Sequence, residues 1–204
     1  MDITHQALQE AFLRYAARWP DEAGASHFIH WLREQPEPFR RETRAGHFTG
    51  SAWLVSADGE RVLLMLHRKL GRWLQLGGHA DGEVDLAAVA LREAEEESGL
   101  RDLEVLPAIF DLDRHLIPAR GDEPAHWHYD VRHVVVARGD EAFTVNEESL
   151  ALAWRSVSDI AADPSADDSL RRMAGKWLAL RATGAPPHLV GADLVGDPAA
   201  AGQV

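Results

Sequence analysis

Apolar residues recur every three or four positions in the first part of the chain, which is the spacing of one helix face. This pattern predicts a helix over residues 3–18, closed by Pro20, and a second helix over 25–34. The stretch 36–46 is polar and rich in helix-breaking residues. We therefore expect it to link the two helices to a different unit that begins at His47.

From His47 onward the pattern changes to short apolar runs and alternation, which are typical of strands. Two such runs flank the turn signal Asp58-Gly59, so we expect a β-hairpin there. A glycine-rich loop over 76–82 comes before a helix over 86–98, for which we expect Asp85 as the N-cap and Gly99 as the end. Further strands and one clear helix follow, at 103–113, 126–137, 151–155 and 166–182. This order predicts an α/β sandwich with a mixed β-sheet.

Composition narrows the class of protein. The 204 residues are 46% hydrophobic and 26% charged, which suits a folded domain with a real core. Lys and Arg number 21 against 33 Asp and Glu, a formal charge of −12, so we expect no nucleic-acid partner. The absence of cysteine excludes disulfides and thiolate zinc sites. With no signal peptide and no long apolar run, we expect a cytoplasmic protein without a membrane partner.

The helix over 86–98 carries the most informative chemistry. Glu93, Glu96 and Glu97 stand at positions i, i+3 and i+4, so their side chains share one face. Such carboxylates repel one another unless a hard divalent cation lies between them. Arg92, four residues before Glu96, could orient it. The alternative is a charged helix surface that simply faces water.

The segment Gly78 to Leu100 resembles the Nudix box of the Nudix hydrolases, G-x5-E-x7-R-E-U-x-E-E-x-G-U, where U is aliphatic. Its matching positions are Gly78, Arg92, Glu93, Ala94, Glu96, Glu97, Gly99 and Leu100. One position departs, because Val84 stands where the pattern has Glu. The resemblance implies an α/β/α sandwich with a mixed β-sheet, to which the N-terminal helices are an addition.

The resemblance also implies that Glu93, Glu96 and Glu97 bind Mg²⁺ or Mn²⁺, and that Arg92 supports them. It implies hydrolysis of a pyrophosphate bond in a nucleoside diphosphate linked to another moiety. A carboxylate must accept the proton of the attacking water. Glu96 and Glu97 are candidates for this general base. In this family the base can also come from a loop outside the box, and a pair that would suit it here is Glu147 and Glu148.

The phosphates of a substrate are bound by cationic side chains and by backbone that they can approach closely. Gly77 and Gly78 would let the backbone approach a phosphate closely. Arg68 and Arg72, before the glycine loop, are the best cationic candidates, although basic residues at a hairpin end are often merely solvated.

Alternation on the strand over 126–137 puts four polar residues on one face, namely His126, His128, Asp130 and Arg132. We expect His128 and Arg132 to form a substrate-binding wall. A polar sheet face without a ligand, or a zinc site that includes His79, are the alternatives.

The leading hypothesis is thus a metal-dependent pyrophosphohydrolase acting on a small phosphorylated substrate. Action on a prenyl diphosphate is one alternative, and a Nudix-like sensor that binds nucleotides without cutting them is another. We expect a helical extension over 1–46, a hydrolase domain over 47–182 and a flexible tail over 183–204. A homodimer interface or a lid would suit the first two helices.

Overall fold

The computed structural model describes residues 3–22, 24–145 and 149–184. No helix in these ranges is long and apolar enough to cross a membrane. The elements in chain order are α1 (Ile3–Arg18), α2 (Ala25–Glu34), β1 (Gly46–Val55), β2 (Arg61–His67), β3 (Trp73–Leu74), β4 (Leu76–His79), α3 (Leu86–Ser98), β5 (Leu103–Ile117), β6 (His126–Ala137), β7 (Ser149–Ser156), α4 (Val157–Ala162) and α5 (Asp168–Ala182).

The seven strands form one mixed sheet. Its main path runs β3-β2-β1-β6-β5, while β4 pairs with β1 and β7 pairs with β2. β1 and β6 are parallel in register from Gly46 opposite Trp127 to Val55 opposite Val136, and the other pairs are antiparallel. A parallel pair needs a long crossover connection, which here contains α3.

The two strands of the predicted hairpin pair with each other only next to the turn. Among the described residues, β1 and β2 pair at Val55 and Val62 and then diverge. The segment Trp73–His79 lies in the gap, with β3 adding to β2 and β4 adding to β1. The edges that a simple hairpin would have joined are therefore occupied by β3 and β4, and the sheet splits into a wedge.

Alternate residues of β1 pack on opposite layers. Trp53 and Val55 join a core with α4 and α5 that includes Trp177. Ala52 and Leu54 join a second core with Ala90 and other residues of α3. Because both faces of the central strands are covered, the molecule is an α/β/α sandwich with a mixed sheet, as predicted.

The first two helices share a core with the sheet. Phe12 of α1 lies 5.5 Å from Phe28 and 6.0 Å from Phe48, between ring centroids, and Trp31 stacks on Tyr129 at 4.6 Å. The predicted linker is also packed, because Phe48 donates its backbone N–H to the carbonyl of Pro38 at 2.8 Å. The helical addition is therefore part of the same hydrophobic interior as β1 and β6.

This packing predicts that Phe12→Ala lowers the free energy of unfolding by about 3–5 kcal/mol, since it leaves a cavity between α1, α2 and β1. Leu13, its neighbour on α1, is 52% exposed, so Leu13→Ala should change stability by less than about 0.5 kcal/mol. Urea unfolding of both variants measures the difference. Equal, small losses would mean that α1 does not contribute to the core.

Candidate active site

An open cleft of about 660 Å³ lies where the sheet splits. Its floor comes from β1, β4 and β6, and one wall comes from α3. The lining includes Thr49, Ser51, Lys69, Gln75, Gly77, Gly78, His79, Arg92, Glu93, Glu96, His115, His128 and Asp130. The volume falls in the usual range of small-molecule sites.

Two consecutive glycines of β4 allow α3 to approach the sheet closely. The backbone N–H of Gly77 donates to Oε2 of Glu97 at 2.8 Å. A Cβ on Gly78 would lie 2.5 Å from the carboxylate carbon of Glu93, closer than real Cβ atoms approach. A Cβ on Gly77 would clash with Oγ of Ser51 on β1. The acidic helix is therefore seated against Gly78 and the backbone N–H of Gly77, while the missing side chain of Gly77 lets β4 lie close to β1.

The ends of α3 are set by the residues that the sequence indicates. Asp85 is the N-cap, and its side chain accepts the N–H groups of Ala87 and Ala88, both at 3.1 Å. Gly99 ends the helix with φ of 72°, the left-handed conformation that glycine adopts without strain. Val84, the position that departs from the Nudix pattern, packs against the core of the N-terminal helices.

The three glutamates differ in exposure. Glu97 is buried against β4, Glu93 is mostly covered, and Glu96 is exposed to the cleft. Nη2 of Arg92 donates to Oε1 of Glu93 at 2.9 Å and to the carbonyl of His79 at 3.0 Å. Arg92 thus contacts Glu93, whereas its spacing favoured Glu96. The donors are carboxylate oxygens on one helix face beside a close-packed backbone, which fits Mg²⁺ or Mn²⁺.

Both predicted phosphate-binding arginines, Arg68 and Arg72, lie outside the lining of the cleft. Arg68 donates Nη2 to the carbonyl of Ser149 at 3.0 Å. Arg72 pairs with Asp167 at 3.3 Å, beside a separate cavity of about 500 Å³. Lys69, between them in sequence, does line the cleft. The predicted roles of Arg68 and Arg72 stay predictions.

Arg132 is buried behind the cleft. Its Nε donates to Oδ2 of Asp130 at 2.7 Å, and its Nη1 donates to Oδ2 of Asp111 at 3.1 Å. Asp111 also accepts from Arg172 at 2.7 Å and from Lys176 at 2.6 Å. Arg132 therefore reaches the cleft through Asp130, and its predicted contact with substrate stays a prediction.

Asp130 accepts hydrogen bonds from three polar residues of the cleft floor for which the sequence pattern predicted no role. Oδ1 of Asp130 accepts from Thr49 at 2.9 Å and from Ser51 at 2.7 Å, and Oδ2 accepts from Gln75 at 3.3 Å. Thr49 and Ser51 follow His47 at alternate positions of an otherwise apolar strand. That alternation is the signal that could have assigned them to one polar face. His128 precedes Asp130 on the same face and also lines the cleft.

A family model described as the NUDIX domain matches residues 47–174, which span the sheet, α3 and the cleft. The chain belongs to the Nudix hydrolase family. The resemblance at Gly78 to Leu100 is thereby confirmed at the level of the family. Glu147 and Glu148, the predicted loop bases of this Nudix chain, lie outside the described residues, as does the predicted tail from residue 185.

One curated relative and two solved structures are similar to this chain. A human protein, nucleoside diphosphate-linked moiety X motif 6, is 27% identical over 146 residues, which is 69% of this chain and 43% of that protein. The Nudix chain thus spans less than half the length of that relative. A C. elegans Ap4A hydrolase in a binary complex is 16% identical, with a TM-score of 0.53 over 67% of this chain and 98% of that one. The E. coli dihydroneopterin triphosphate pyrophosphohydrolase is 15% identical, with a TM-score of 0.51 over 65% of this chain and 94% of that one. At these identities the two structures show a shared fold.

The contacts of Gly77 and Gly78 predict that replacing each with Ala destabilises the protein by a different amount. Gly77→Ala should destabilise the protein by about 1–3 kcal/mol, because its Cβ meets backbone as well as side-chain atoms of Ser51. Gly78→Ala should cost less, because the atoms it meets are the movable end of Glu93. Gly175→Ala, in open space on α5, is the control and should be neutral or stabilising. Chemical unfolding ranks the three, and the reverse order of the first two would contradict the contacts.

The buried charges predict a dependence of stability on pH. Burial disfavours the charged form of Asp111, yet the hydrogen bond from Arg172 and the charges of Arg132 and Lys176 hold its pKa below the ordinary value. The folded pKa is thus below the unfolded one, so this stabilisation is present above about pH 4 and is lost as pH falls through lower values. Asp111→Asn should lower the free energy of unfolding by on the order of 3–5 kcal/mol at pH 7. The difference from wild type should be smaller at pH 3.

Urea unfolding at pH 7 and pH 3 measures this difference. Asp168→Asn is the control, because the Asp168 side chain is 98% exposed and pairs with Arg171 at 3.5 Å on the surface. A pH-independent loss in Asp111→Asn would show that the ionised carboxylate is not what stabilises the network.

Proposed function

We propose that this Nudix chain hydrolyses the pyrophosphate bond of a small nucleoside diphosphate derivative, and that the reaction requires Mg²⁺ or Mn²⁺. The observation that carries the proposal is the seating of Glu93 and Glu97 of α3 on Gly78 and Gly77 of β4, at the wall of an open cleft. A water-facing helix surface, the alternative for this acidic run, has no reason to bury Glu97 against backbone.

Glu93, Glu96 and Glu97 would hold the divalent ion, since their oxygens suit a hard cation. When bound, the ion supplies positive charge against the phosphates and lowers the pKa of water. This accounts for a strongly acidic chain that accepts an anionic substrate, because the net charge of −12 belongs to the chain without its ions.

The chain's own groups would fix the geometry. The Gly77 N–H holds Glu97, and Arg92 holds Glu93 while its second hydrogen bond ties the helix to the backbone of His79. Lys69 lines the cleft and offers a cation to a phosphate oxygen. These contacts would position the substrate for in-line attack before the reaction begins.

A general base must accept the proton of the attacking water. Glu96 is exposed to the cleft, whereas Glu97 is buried and accepts the Gly77 N–H, so we propose Glu96 as the first candidate within the box. Glu147 and Glu148 are the candidates outside it. The base is the residue whose change to Gln removes the acidic limb of the pH dependence of kcat.

Two observations support the proposed substrate class, namely the name of one relative and the volume of the cleft. The human relative is named for a moiety X linked to a nucleoside diphosphate, which supports a substrate of that type here. The cleft volume of about 660 Å³ accommodates a small molecule. Dimerisation and a cytoplasmic location stay predictions.

A panel of purified compounds tests the substrate class. It contains nucleoside diphosphate sugars, ADP-ribose, NADH, dinucleoside polyphosphates, deoxynucleoside triphosphates, prenyl diphosphates and capped RNA, each with Mg²⁺ and chromatographic identification of products. We expect cleavage of a nucleoside diphosphate derivative into two phosphorylated products. Cleavage of prenyl diphosphates alone would favour the alternative substrate, and binding of nucleotides without products would favour a sensor.

Loss of the proposed metal ligands should abolish most turnover. Glu96→Gln and Glu97→Gln should each lower kcat by roughly 10²-fold or more with the fold intact, and a chelator should abolish hydrolysis in the wild type. Glu95→Gln is the matched control, since Glu95 directly precedes them in sequence but does not line the cleft. Steady-state kinetics and circular dichroism measure both properties. Full activity in both variants, or an unchanged rate with chelator, would refute the assignment.

A further inference from the structure

One end of the cleft holds a cluster of histidines that the proposed hydrolysis does not use. Neighbouring ring centroids in this cluster lie 4.8–5.5 Å apart. Its members are His47 of β1, His79 of β4, His115 of β5, and His126 and His128 of β6.

The register of the sheet brings these residues together. His47 and His115 are the partners of His128 on its two neighbouring strands, and His126 lies two residues before His128 on the same face. His79 joins from β4, where it pairs with Thr49, two residues beyond His47. Four separate strands therefore direct imidazoles to one place. Isolated surface histidines would not converge in this way.

His47 is the buried member that lacks partners. It is 1% exposed, and neither ring nitrogen has a hydrogen-bond partner in the described parts of the chain. The backbone of Thr43 approaches the ring without reaching hydrogen-bond geometry. A buried polar atom without a partner lowers the stability of the fold by about 1–3 kcal/mol. A ligand that accepts the lone pair of the ring nitrogen would remove this destabilisation.

His126 is held in the tautomer that a metal requires. Its Nδ1 lies 3.0 Å from the carbonyl oxygen of Pro124, and because a carbonyl can only accept, Nδ1 carries the proton. Nε2 is then unprotonated and can act as a ligand, and it lies 3.3 Å from Nε2 of His128 and 3.8 Å from Oε1 of Glu123. A tetrahedral ion with bonds of about 2.0–2.1 Å places neighbouring nitrogens about 3.4 Å apart. A carbonyl behind a ligating histidine is the usual outer support of such a site.

The third histidine completes the set. Ligand atoms of His47, His126 and His128 all lie within 4.8 Å of one another. Burial lowers the pKa of His47 to about 4, burial and neighbouring imidazoles lower the pKa of His128, and burial and the charge of Arg41 lower the pKa of His79. These rings are therefore neutral near pH 7, the form in which histidine binds metals.

We infer that His47, His126 and His128 form a second metal site, for Zn²⁺ or a similar divalent transition metal, separate from the carboxylates of α3. Imidazole nitrogens suit Zn²⁺, whereas the glutamates suit Mg²⁺ or Mn²⁺, so the two sites select different ions. His79, whose ring centroid lies 5.0 Å from that of His47, is available as a further ligand.

The test uses the full chain, stripped of metal and kept in excess Mg²⁺ so that the carboxylates are occupied. Calorimetric titration with Zn²⁺ should give one site per chain, and Zn²⁺ should raise the melting temperature. Co²⁺ should give the intense visible absorption of a low-coordinate imidazole complex. This spectrum needs no variant, so it stays informative if histidine substitutions unfold the protein.

Variants locate the site. His126→Ala and His128→Ala should weaken Zn²⁺ binding by at least about 10²-fold. His30→Ala is the matched control, since His30 is exposed on α2 outside the cluster, and it should bind as the wild type does. Zn²⁺ binding that survives in both cluster variants, or that is lost in Glu97→Gln instead, would overturn the proposal. Glu97→Gln that loses hydrolysis but keeps Zn²⁺ would support both sites independently.

Discussion

The close seating of α3 on the glycines of β4 is the contact on which the site depends. Glu97 is buried because the Gly77 N–H satisfies it, and Glu93 occupies the space that a side chain at residue 78 would take. Without that approach the glutamates would stand in solvent on a helix surface, repelling one another. The contact converts a charged helix face into one wall of a cleft.

The split between β1 and β2 makes the contact possible. β4 can lie beside β1 because β2 leaves it after Val62, and the gap that remains becomes the cleft. The polar face behind the cleft is held by buried charges, in which Asp111 neutralises cations from β6 and α5. A buried network of this kind is weak evidence for stability, but the loss of one partner is costly, so it fixes where Asp130 stands.

Local features were predictable because they depend on neighbours in sequence. The bounds of α3, its cap at Asp85 and its end at Gly99 follow from helix periodicity and backbone chemistry, and the structure confirms all three. The packing of Phe39 within the predicted linker was not predicted, since it depends on α1 and α2 closing over β1.

Contacts between residues distant in sequence could not be predicted from the sequence alone. Arg132 was placed on the correct strand face, but Asp111, which covers it, lies 21 residues earlier and pairs through sheet register. Lys69 lines the cleft while Arg68 turns to the backbone of Ser149, a difference of side-chain direction that composition does not encode. The histidine cluster likewise requires the order of four strands.

The most direct test of the central claim is the affinity for Mn²⁺, measured by the loss of the free-ion signal in electron paramagnetic resonance. If the glycine contact positions the carboxylates, wild type and Gly175→Ala should bind Mn²⁺ equally, and Gly78→Ala should bind it at least about 10-fold more weakly. Equal binding in all three proteins would contradict the claim that the seating of α3 on β4 builds the metal site.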